Sequence, residues 1–260
     1  MWTRTSTYKY NSYFSENASR NDNLDQQAQA LYRSWFVDFE PFKGGKFVDS
    51  ELGKIPEGWR VGTIGEYCKV RSGYAFKSSW WTDKGVKVIK IKNITTKGNL
   101  DMSDCSFVLE SNVLKASDFK ISTGDVLIAM TGATIGKFCI IPYLQENVYV
   151  NQRVGKFFLG NNPLKKLPFL YGTLKQERII GEIINKGQGS AQPNISSSDI
   201  ENISIIIPDN QTIDSFNTSL SPLYSLILQN EQEKTALASK RDSLLPKLMS
   251  GELKISDLNS

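Results

Sequence analysis

Histidine does not occur anywhere in the 260 residues of this chain. Imidazole general bases, Ser-His and Cys-His nucleophile pairs, and histidine metal sites are therefore excluded. Cysteines are few, and Cys68, Cys105 and Cys139 lie 34 or more positions apart. They cannot form a C-x-x-C metal clip, and their odd number argues against a disulfide framework. We expect buried or half-buried free thiols, no metal site and no cofactor.

Long apolar runs are missing as well. The longest ones, such as residues 203–207, are far too short to cross a bilayer. The start, Met1-Trp2-Thr3-Arg4-Thr5, is followed by Tyr, Asn and Ser rather than by the apolar core of a signal peptide. The chain is 40% hydrophobic and 22% charged, which is ordinary for a globular protein. We therefore predict a cytoplasmic protein without a membrane span.

The chain also lacks the common catalytic signatures. Neither G-x-x-x-x-G-K-[ST] nor a G-x-G-x-x-G between strand and helix occurs, and the glycine-rich residues 132–137 are predicted to form a tight turn between strands. Asp118-Phe119-Lys120 and Glu252-Leu253-Lys254 resemble only the carboxylate-x-lysine half of a nuclease site. The Asn-Pro-Pro-aromatic motif of amino methyltransferases is absent, so methylation would need a partner. We do not expect a stand-alone enzyme.

Positive charge is concentrated in the middle of the chain. The net charge is +4, but residues 56–210 hold 19 basic and 14 acidic side chains, a balance of +5. Residues 69–97 contain eight cations and a single acid, Asp83. Such a density of positive charge favours the binding of a polyanion through counterion release, although a solvent-exposed strand face would have the same composition. The DNA-contact candidates are Lys69, Arg71, Lys77, Lys84, Lys87, Lys90, Lys92, Lys97, Lys137 and Arg153.

Hydrophobic periodicity divides the chain into a helix, a strand-rich part and a long helix. Residues 1–22 lack periodicity and are predicted to be loose. A helix is expected from near Leu24 to just before Pro41, followed by a linker with two turns over residues 43–57. Residues 58–208 are predicted as mainly strands, including an amphipathic strand over 86–91 with one basic face and a buried strand over 125–130. Further strands are expected over 137–141, 148–158 and 203–207, and a helix over 164–184. The long helix spans 209–255, and 256–260 form a tail.

The long C-terminal helix repeats its apolar residues at coiled-coil spacing. Its predicted seam consists of Leu220, Leu223, Ile227, Asn230, Lys234, Leu237, Arg241, Leu244 and Leu248. A seam repeating every 3.5 residues packs against another helix, and its polar positions can fix register and partner at a cost in stability. Ser221-Pro222 predicts a break or kink, and Pro246 a bend or an end. The pattern therefore indicates a helix that joins a partner.

Several strings resemble those of the specificity subunit of type I restriction-modification systems, in the right order over about residues 23–255. They are residues 28–42, Ile55-Pro56-Glu57-Gly58-Trp59, Ser72-Gly73 with Phe76-Lys77, residues 85–91, Gly124-Asp125-Val126-Leu127-Ile128, residues 131–136, Asn151-Gln152-Arg153, residues 189–195 and residues 244–252. Together they are specific, although each alone would be weak.

This resemblance implies an α+β chain with a strand-rich target recognition domain over residues 58–208. A short N-terminal helix, the remnant of a first conserved helix over 23–42, and the long coiled-coil-forming helix would flank it. The subunit would be non-catalytic and would read double-stranded DNA in the major groove. Lysines would fix phosphates, while Arg71 and Arg153 would suit guanine, unless Arg153 is a buried structural residue. The aromatic residues Tyr74, Phe76, Trp80 and Trp81 would either face DNA or pack in the core.

The family has two recognition domains and two long helices, so this chain resembles a half-length form that reads one half of a bipartite site. Its helix would dock methyltransferase subunits and, through them, a restriction subunit. It would also pair with its own copy or with another half subunit. Two alternatives stay open, namely a structural adaptor that never touches DNA and a silent recombination cassette acting through its coiled-coil helix.

Overall fold

A computed structural model describes residues 4–96, 98–188 and 193–250 and confirms the α+β class. The helices are α1 (Arg4–Phe36), α2 (Ile64–Tyr67), α3 (Glu110–Val113), α4 (Leu167–Leu174), α5 (Glu177–Gly187), α6 (Ser197–Glu201) and α7 (Asn210–Met249). The strands are β1 (Phe47–Ser50), β2 (Gly53–Pro56), β3 (Arg60–Thr63), β4 (Lys69–Ser72), β5 (Trp81–Thr82), β6 (Val86–Ile89), β7 (Ser106–Val108), β8 (Val126–Ala129), β9 (Phe138–Ile140), β10 (Val148–Val150), β11 (Val154–Phe158) and β12 (Ser204–Ile207). No helix within the described ranges is long and apolar enough to cross a membrane.

The two longest helices, α1 and α7, pack side by side in opposite directions. Asn21 of α1 donates hydrogen bonds to Ile227 and Glu231 of α7. At the other end of α1, the ring of Phe36 lies 4.7 Å from that of Phe216. Residues later in α1 therefore contact residues earlier in α7, so the two helices are antiparallel. The long C-terminal helix has a partner helix within the same chain.

The helix α1 begins earlier than the sequence pattern predicts. Residues 4–22, predicted to be loose, are helical, so α1 has 33 residues and is not a short helix. The predicted boundary was wrong because these residues are mainly polar and lack the apolar periodicity by which a helix is recognised in a sequence. Among the residues whose side chains are described, burial in α1 begins at the polar Asn21. Residues 1–3 and the predicted tail at 256–260 lie outside the described ranges.

Two four-stranded sheets form the centre of the strand-rich part. The first sheet, in the order β4-β11-β8-β9, is antiparallel throughout. The second has the order β10-β6-β7-β5, in which β10 and β6 are parallel and the other pairs antiparallel. The predicted linker over 43–57 contains the antiparallel pair β1-β2 rather than turns alone, and β12 pairs with β3.

The apolar cores lie in layers on either side of these sheets. In β8, Val126 and Ile128 pack in the helix-containing core, whereas Leu127 and Ala129 pack toward the second sheet. The run from Val126 to Ala129 is therefore buried on both faces, as predicted for this strand. The first sheet lies between the helices and the second sheet.

Most other predicted elements are found with altered limits. The helix predicted over 164–184 is two helices, α4 and α5, and the strand predicted over 148–158 is two strands separated by a turn at 151–153. The helix α7 runs through Pro222 and Pro246 without ending, so the break predicted at Ser221-Pro222 is wrong. Asp209 caps the helix start by accepting a hydrogen bond from the Thr212 amide. Cys68, Cys105 and Cys139 are buried thiols, as predicted.

Candidate nucleic-acid interface

Four segments that are distant in sequence meet at one end of the first sheet. We call them the loop cluster, comprising residues 72–74, 130–136, 150–154 and 193–195. They are joined by backbone hydrogen bonds from Gly73 to Val154, Tyr74 to Val150, Met130 to Arg153, Ile195 to Met130 and Gly132 to Pro193, all with donor–acceptor distances of 2.9–3.1 Å. Each segment belongs to a string that resembles the specificity subunits. The fold therefore brings these strings into a single site.

Gly73 makes this close approach possible. A side-chain carbon added at this position would run into the carbonyl oxygens of Val150 and Asn151. Backbone atoms cannot swing aside as a flexible side chain can, so only glycine lets the two segments touch. The neighbouring turn, Asn151-Gln152-Arg153, is held in place while the side chains of Gln152 and Arg153 remain exposed. Arg153 is thus not a buried structural residue, which removes one of its two predicted roles.

The predicted DNA-contact cations fall into three groups. Lys69, Lys87 and Lys92 form ion pairs with Glu201, Glu146 and Asp104 at 3.4, 2.6 and 2.6 Å. Arg71, Lys77 and Lys90 lie over the rings of Phe158, Trp80 and Trp81 at 5.3, 5.3 and 3.6 Å. Lys84, Lys137 and Arg153 have neither kind of partner among the described residues. Lys97 lies outside the described residues, as do 189–192.

The lysines around β6 do not form the single basic face predicted from the sequence. The strand ends at Ile89, and Lys92 lies in the short 3-10 helix Ile91–Asn93 that follows. Lys87 pairs in register with Phe107, which packs between the two sheets, whereas the Lys90 ammonium lies over Trp81, which packs outside the second sheet. The prediction was wrong because residues 87 and 90 are an odd number of positions apart, and because the strand ends before Lys90 and Lys92.

The four aromatic residues named as candidates pack against a small apolar core outside the second sheet. Phe76 is buried within this core, and Tyr74, Trp80 and Trp81 are half-buried against it. The rings of Tyr74 and Trp80 are nearly parallel, with 6.4 Å between their centroids. Packing therefore accounts for Phe76, whereas the other three rings keep part of their surface exposed.

Lys90 has a distinctive environment among these cations. Burial first, and the neighbouring charge of Lys92 second, lower the pKa of its ammonium group. The ring of Trp81 offers the ammonium group an electron-rich face without neutralising its charge. Lys90 therefore keeps a charge that no described carboxylate balances, beside the turn that holds Asn151, whose amide donates to the carbonyl of Ile89.

The first sheet contains a buried ion pair that the sequence does not predict. Lys156 of β11 lies 2.8 Å from the Asp125 carboxylate and donates to the carbonyl of Lys120 at 2.7 Å. Burial raises the pKa of Asp125, and the Lys156 charge opposes this rise. Charge counting treats every lysine alike, so it could not separate this internal cation from surface ones. The alternating apolar neighbours of Lys156 in β11 were the available signal.

The predicted seam of α7 coincides only in part with its buried face. Leu220 is buried and Leu223 and Ile227 are half-buried, but Tyr224 and Leu228, which the prediction omitted, are buried more deeply than these two. Asn230 donates to Asn21 of α1 at 2.8 Å, and Lys234 pairs with Glu231 of its own helix at 3.2 Å. Farther along, the chain is less buried: Leu237 and Leu244 are half-buried and Arg241 is exposed. Leu248 belongs to α7, but its side chain is not among those that the structure describes.

A family model described as the type I restriction modification DNA specificity domain matches residues 56–237. The chain belongs to this family. It is 30% identical over 248 residues to the type I restriction enzyme MjaIX specificity subunit of Methanocaldococcus jannaschii, covering 92% of this chain and 55% of that protein. The MjaVIII specificity subunit of the same organism is 28% identical, covering 84% of this chain and 52% of that protein.

The solved structure of a type I restriction-modification S subunit from M. genitalium has the same fold. It superposes with a TM-score of 0.58 at 16% identity, covering 94% of this chain and 59% of that chain. This chain spans about half the length of the curated specificity subunits it matches. These relatives are named as specificity subunits, which is the kind of subunit that the sequence predicts.

Proposed function

We propose that this specificity-family chain recognises a DNA sequence within a type I restriction-modification complex. The observation that carries the proposal is the loop cluster, where four family-like strings converge beside cations that form no ion pair with a described carboxylate. Exposed guanidinium and amide groups on a rigid backbone suit base recognition, because a fixed donor geometry distinguishes base edges. Gln152 and Arg153 are the exposed side chains of the turn that is hydrogen-bonded to Tyr74 and Met130.

Phosphates and bases would be contacted by different residues. Lysines around the second sheet would hold the sugar–phosphate backbone, which fixes register but carries no sequence information. Arg71 and Arg153 would be suited to guanine, because a guanidinium can donate two parallel hydrogen bonds to its O6 and N7 atoms. Arg71 lies on the edge strand β4, where Phe158 supports its guanidinium.

The helix pair would act as a spacer and a docking element. At roughly 1.5 Å per residue, the 40 residues of α7 span about 60 Å, more than one turn of DNA at about 34 Å. A recognition domain held at one end would read one half of a bipartite site. The second half-site would come from a second copy or from another half subunit, and methyltransferase subunits, with a restriction subunit behind them, would dock on the helices.

DNA binding at two salt concentrations tests this proposal against a pure adaptor role. The purified chain is titrated with fluorescent duplex DNA at about 50 and about 200 mM salt. A protein that neutralises several phosphates should lose affinity by a large factor over this range, roughly 10³-fold or more for six contacts. No binding at the lower salt concentration would favour the adaptor. Adding methyltransferase subunits should then confer sequence-specific methylation that neither component performs alone.

A further inference from the structure

The strand β6 separates two environments that the sequence does not distinguish. Ile89 packs in the core between the two sheets, together with Leu127. Val88 packs on the other side, with Phe76 and Tyr149. Lys87 lies two residues before Ile89 in the strand and therefore faces the same side. The Lys90 ammonium, just past the strand, lies over Trp81, which packs against the core that contains Val88. Lys87 and Lys90 therefore lie on opposite faces of the sheet.

Two lysines of this region, Lys87 and Lys92, are already neutralised by carboxylates. Lys87 lies 2.6 Å from Glu146, and Lys92 lies 2.6 Å from Asp104. Lys87 is also largely covered, with 26% of its side chain exposed. A phosphate that approached either ammonium group would have to displace a carboxylate that is already at hydrogen-bond distance. Such an exchange returns little free energy, because one anion only replaces another.

The cations on the second side are held by aromatic rings instead. We call this surface the outer face and define it by Tyr74, Lys77, Trp80, Trp81 and Lys90. The Lys90 ammonium lies 3.6 Å from the ring centroid of Trp81, and that of Lys77 lies 5.3 Å from Trp80. Among the described residues, neither lysine forms an ion pair with a carboxylate.

Cation–π contacts position a charge without cancelling it. An ammonium group over an indole has lost part of its water and part of its rotational freedom, yet its full charge remains available to an anion. A phosphate can therefore add to Lys77 or Lys90 while the ring contact persists. The outer face is also connected to the loop cluster, because Tyr74 donates its amide to Val150 and accepts from the amide of Gln152.

We propose that the outer face contacts the phosphate backbone of double-stranded DNA, and that Lys87 and Lys92 stabilise the fold instead. This inference rests on the proposed DNA-binding function and assigns it to one of the two sides of the second sheet. It divides four of the seven lysines of residues 69–97, which have the same charge and similar sequence surroundings, into a binding pair and a structural pair.

Two double variants test the assignment with equal changes of charge. Lys77→Gln/Lys90→Gln and the matched control Lys87→Gln/Lys92→Gln each remove two positive charges from neighbouring positions. For the outer-face variant, we expect about a tenfold or greater loss of affinity for duplex DNA at about 50 mM salt and a decrease of about two in the magnitude of the salt slope. The control should bind within about twofold of the parent with an unchanged slope, but with a lower melting temperature.

The variant Lys77→Arg/Lys90→Arg keeps both positive charges and should retain DNA binding. It therefore distinguishes the loss of charge from a loss of folding as the cause of weaker binding. The inference is overturned if the two Gln variants lose affinity equally, if only the control loses it, or if neither does. It is also overturned if the loss in the outer-face variant is matched by a loss of the folded near-ultraviolet spectrum. Failure of the parent chain itself to bind DNA would instead reject the proposed function, before any comparison of variants.

Discussion

Lys156 and Asp125 form an internal ion pair whose two side chains are 10% and 3% exposed. Each of two buried charges is stabilised by the other. An unpaired ion in the interior keeps its desolvation cost but loses the attraction of the opposite charge that offsets it. Asp125 also accepts a hydrogen bond from the Ser122 amide at 2.7 Å, beside the turn at Gly124. The pair therefore ties the start of β8 to β11 and fixes the sheet that carries the loop cluster.

Replacing Lys156 with Met should destabilise the protein by about 3–5 kcal/mol at neutral pH, because Asp125 is left without its cation. The loss should shrink as the pH falls from 7 toward 4. Without Lys156, the pKa of the folded-state carboxyl rises further above its ordinary value of 3.8. A carboxyl with a raised pKa stabilises the fold when protonated, and this stabilisation is lost as pH rises through that pKa. Urea unfolding at several pH values measures the effect.

Lys120→Met is the matched control for this substitution. The side chain of Lys120 is exposed, and only its backbone carbonyl contacts Lys156. The control removes the same charge nearby and should change stability by less than about 0.5 kcal/mol. A Lys156→Met protein whose deficit stays constant between pH 7 and 4 would show that Asp125 does not carry the cost.

At the scale of elements, the polar contact between α1 and α7 sets the alignment of the helix pair. Asn21 is 8% exposed and donates to the Ile227 carbonyl at 3.2 Å, while its own oxygen accepts from Asn230 at 2.8 Å. Sliding one helix along the other would break these bonds within a mainly apolar interface. The polar seam position at 230 therefore has its partner on a helix of the same chain, and we expect this contact to hold the register of the pair.

Asn230→Ala should lower the free energy of unfolding by about 1–3 kcal/mol, since it leaves a buried oxygen of Asn21 unpaired. Asn21→Ala in the same background should cost much less than it does alone, giving a coupling energy of about 0.5–3 kcal/mol. Gln229→Ala, at an exposed position of the same helical turn, is the control. Additive effects of the two Asn substitutions, measured by chemical denaturation, would contradict the pairing.

How far the sequence predicts an element depends on what buries it. The run at β8 was found because all four residues are apolar and covered on both faces. The start of α1 was missed because a helix joined through Asn21 shows no apolar stripe there. The single basic face predicted around β6 was wrong because Lys87 and Lys90 are three positions apart, and because the strand ends before Lys90 and Lys92.

At the scale of the whole molecule, the strings that resemble the family indicated more of the site's residues than hydrophobic periodicity did. Residues 72–74 and 150–154 are far apart in the chain, and no local pattern predicts that they touch. Their meeting depends on sheet order, in which β11 lies between β4 and β8. The sequence could therefore indicate which residues belong to the site. Ion pairs such as that of Lys87 with Glu146 could not be predicted, because they depend on the three-dimensional arrangement of the strands.

Selection from a randomised duplex library tests the central claim most directly. The full chain is incubated with a library of random double-stranded DNA, and bound molecules are recovered and sequenced over several rounds. Sequence recognition predicts enrichment of one short element, present once or as two inverted copies at a fixed spacing if two chains pair. Recovery of DNA with no common element, at a salt concentration where the chain binds duplex, would contradict a role in specificity.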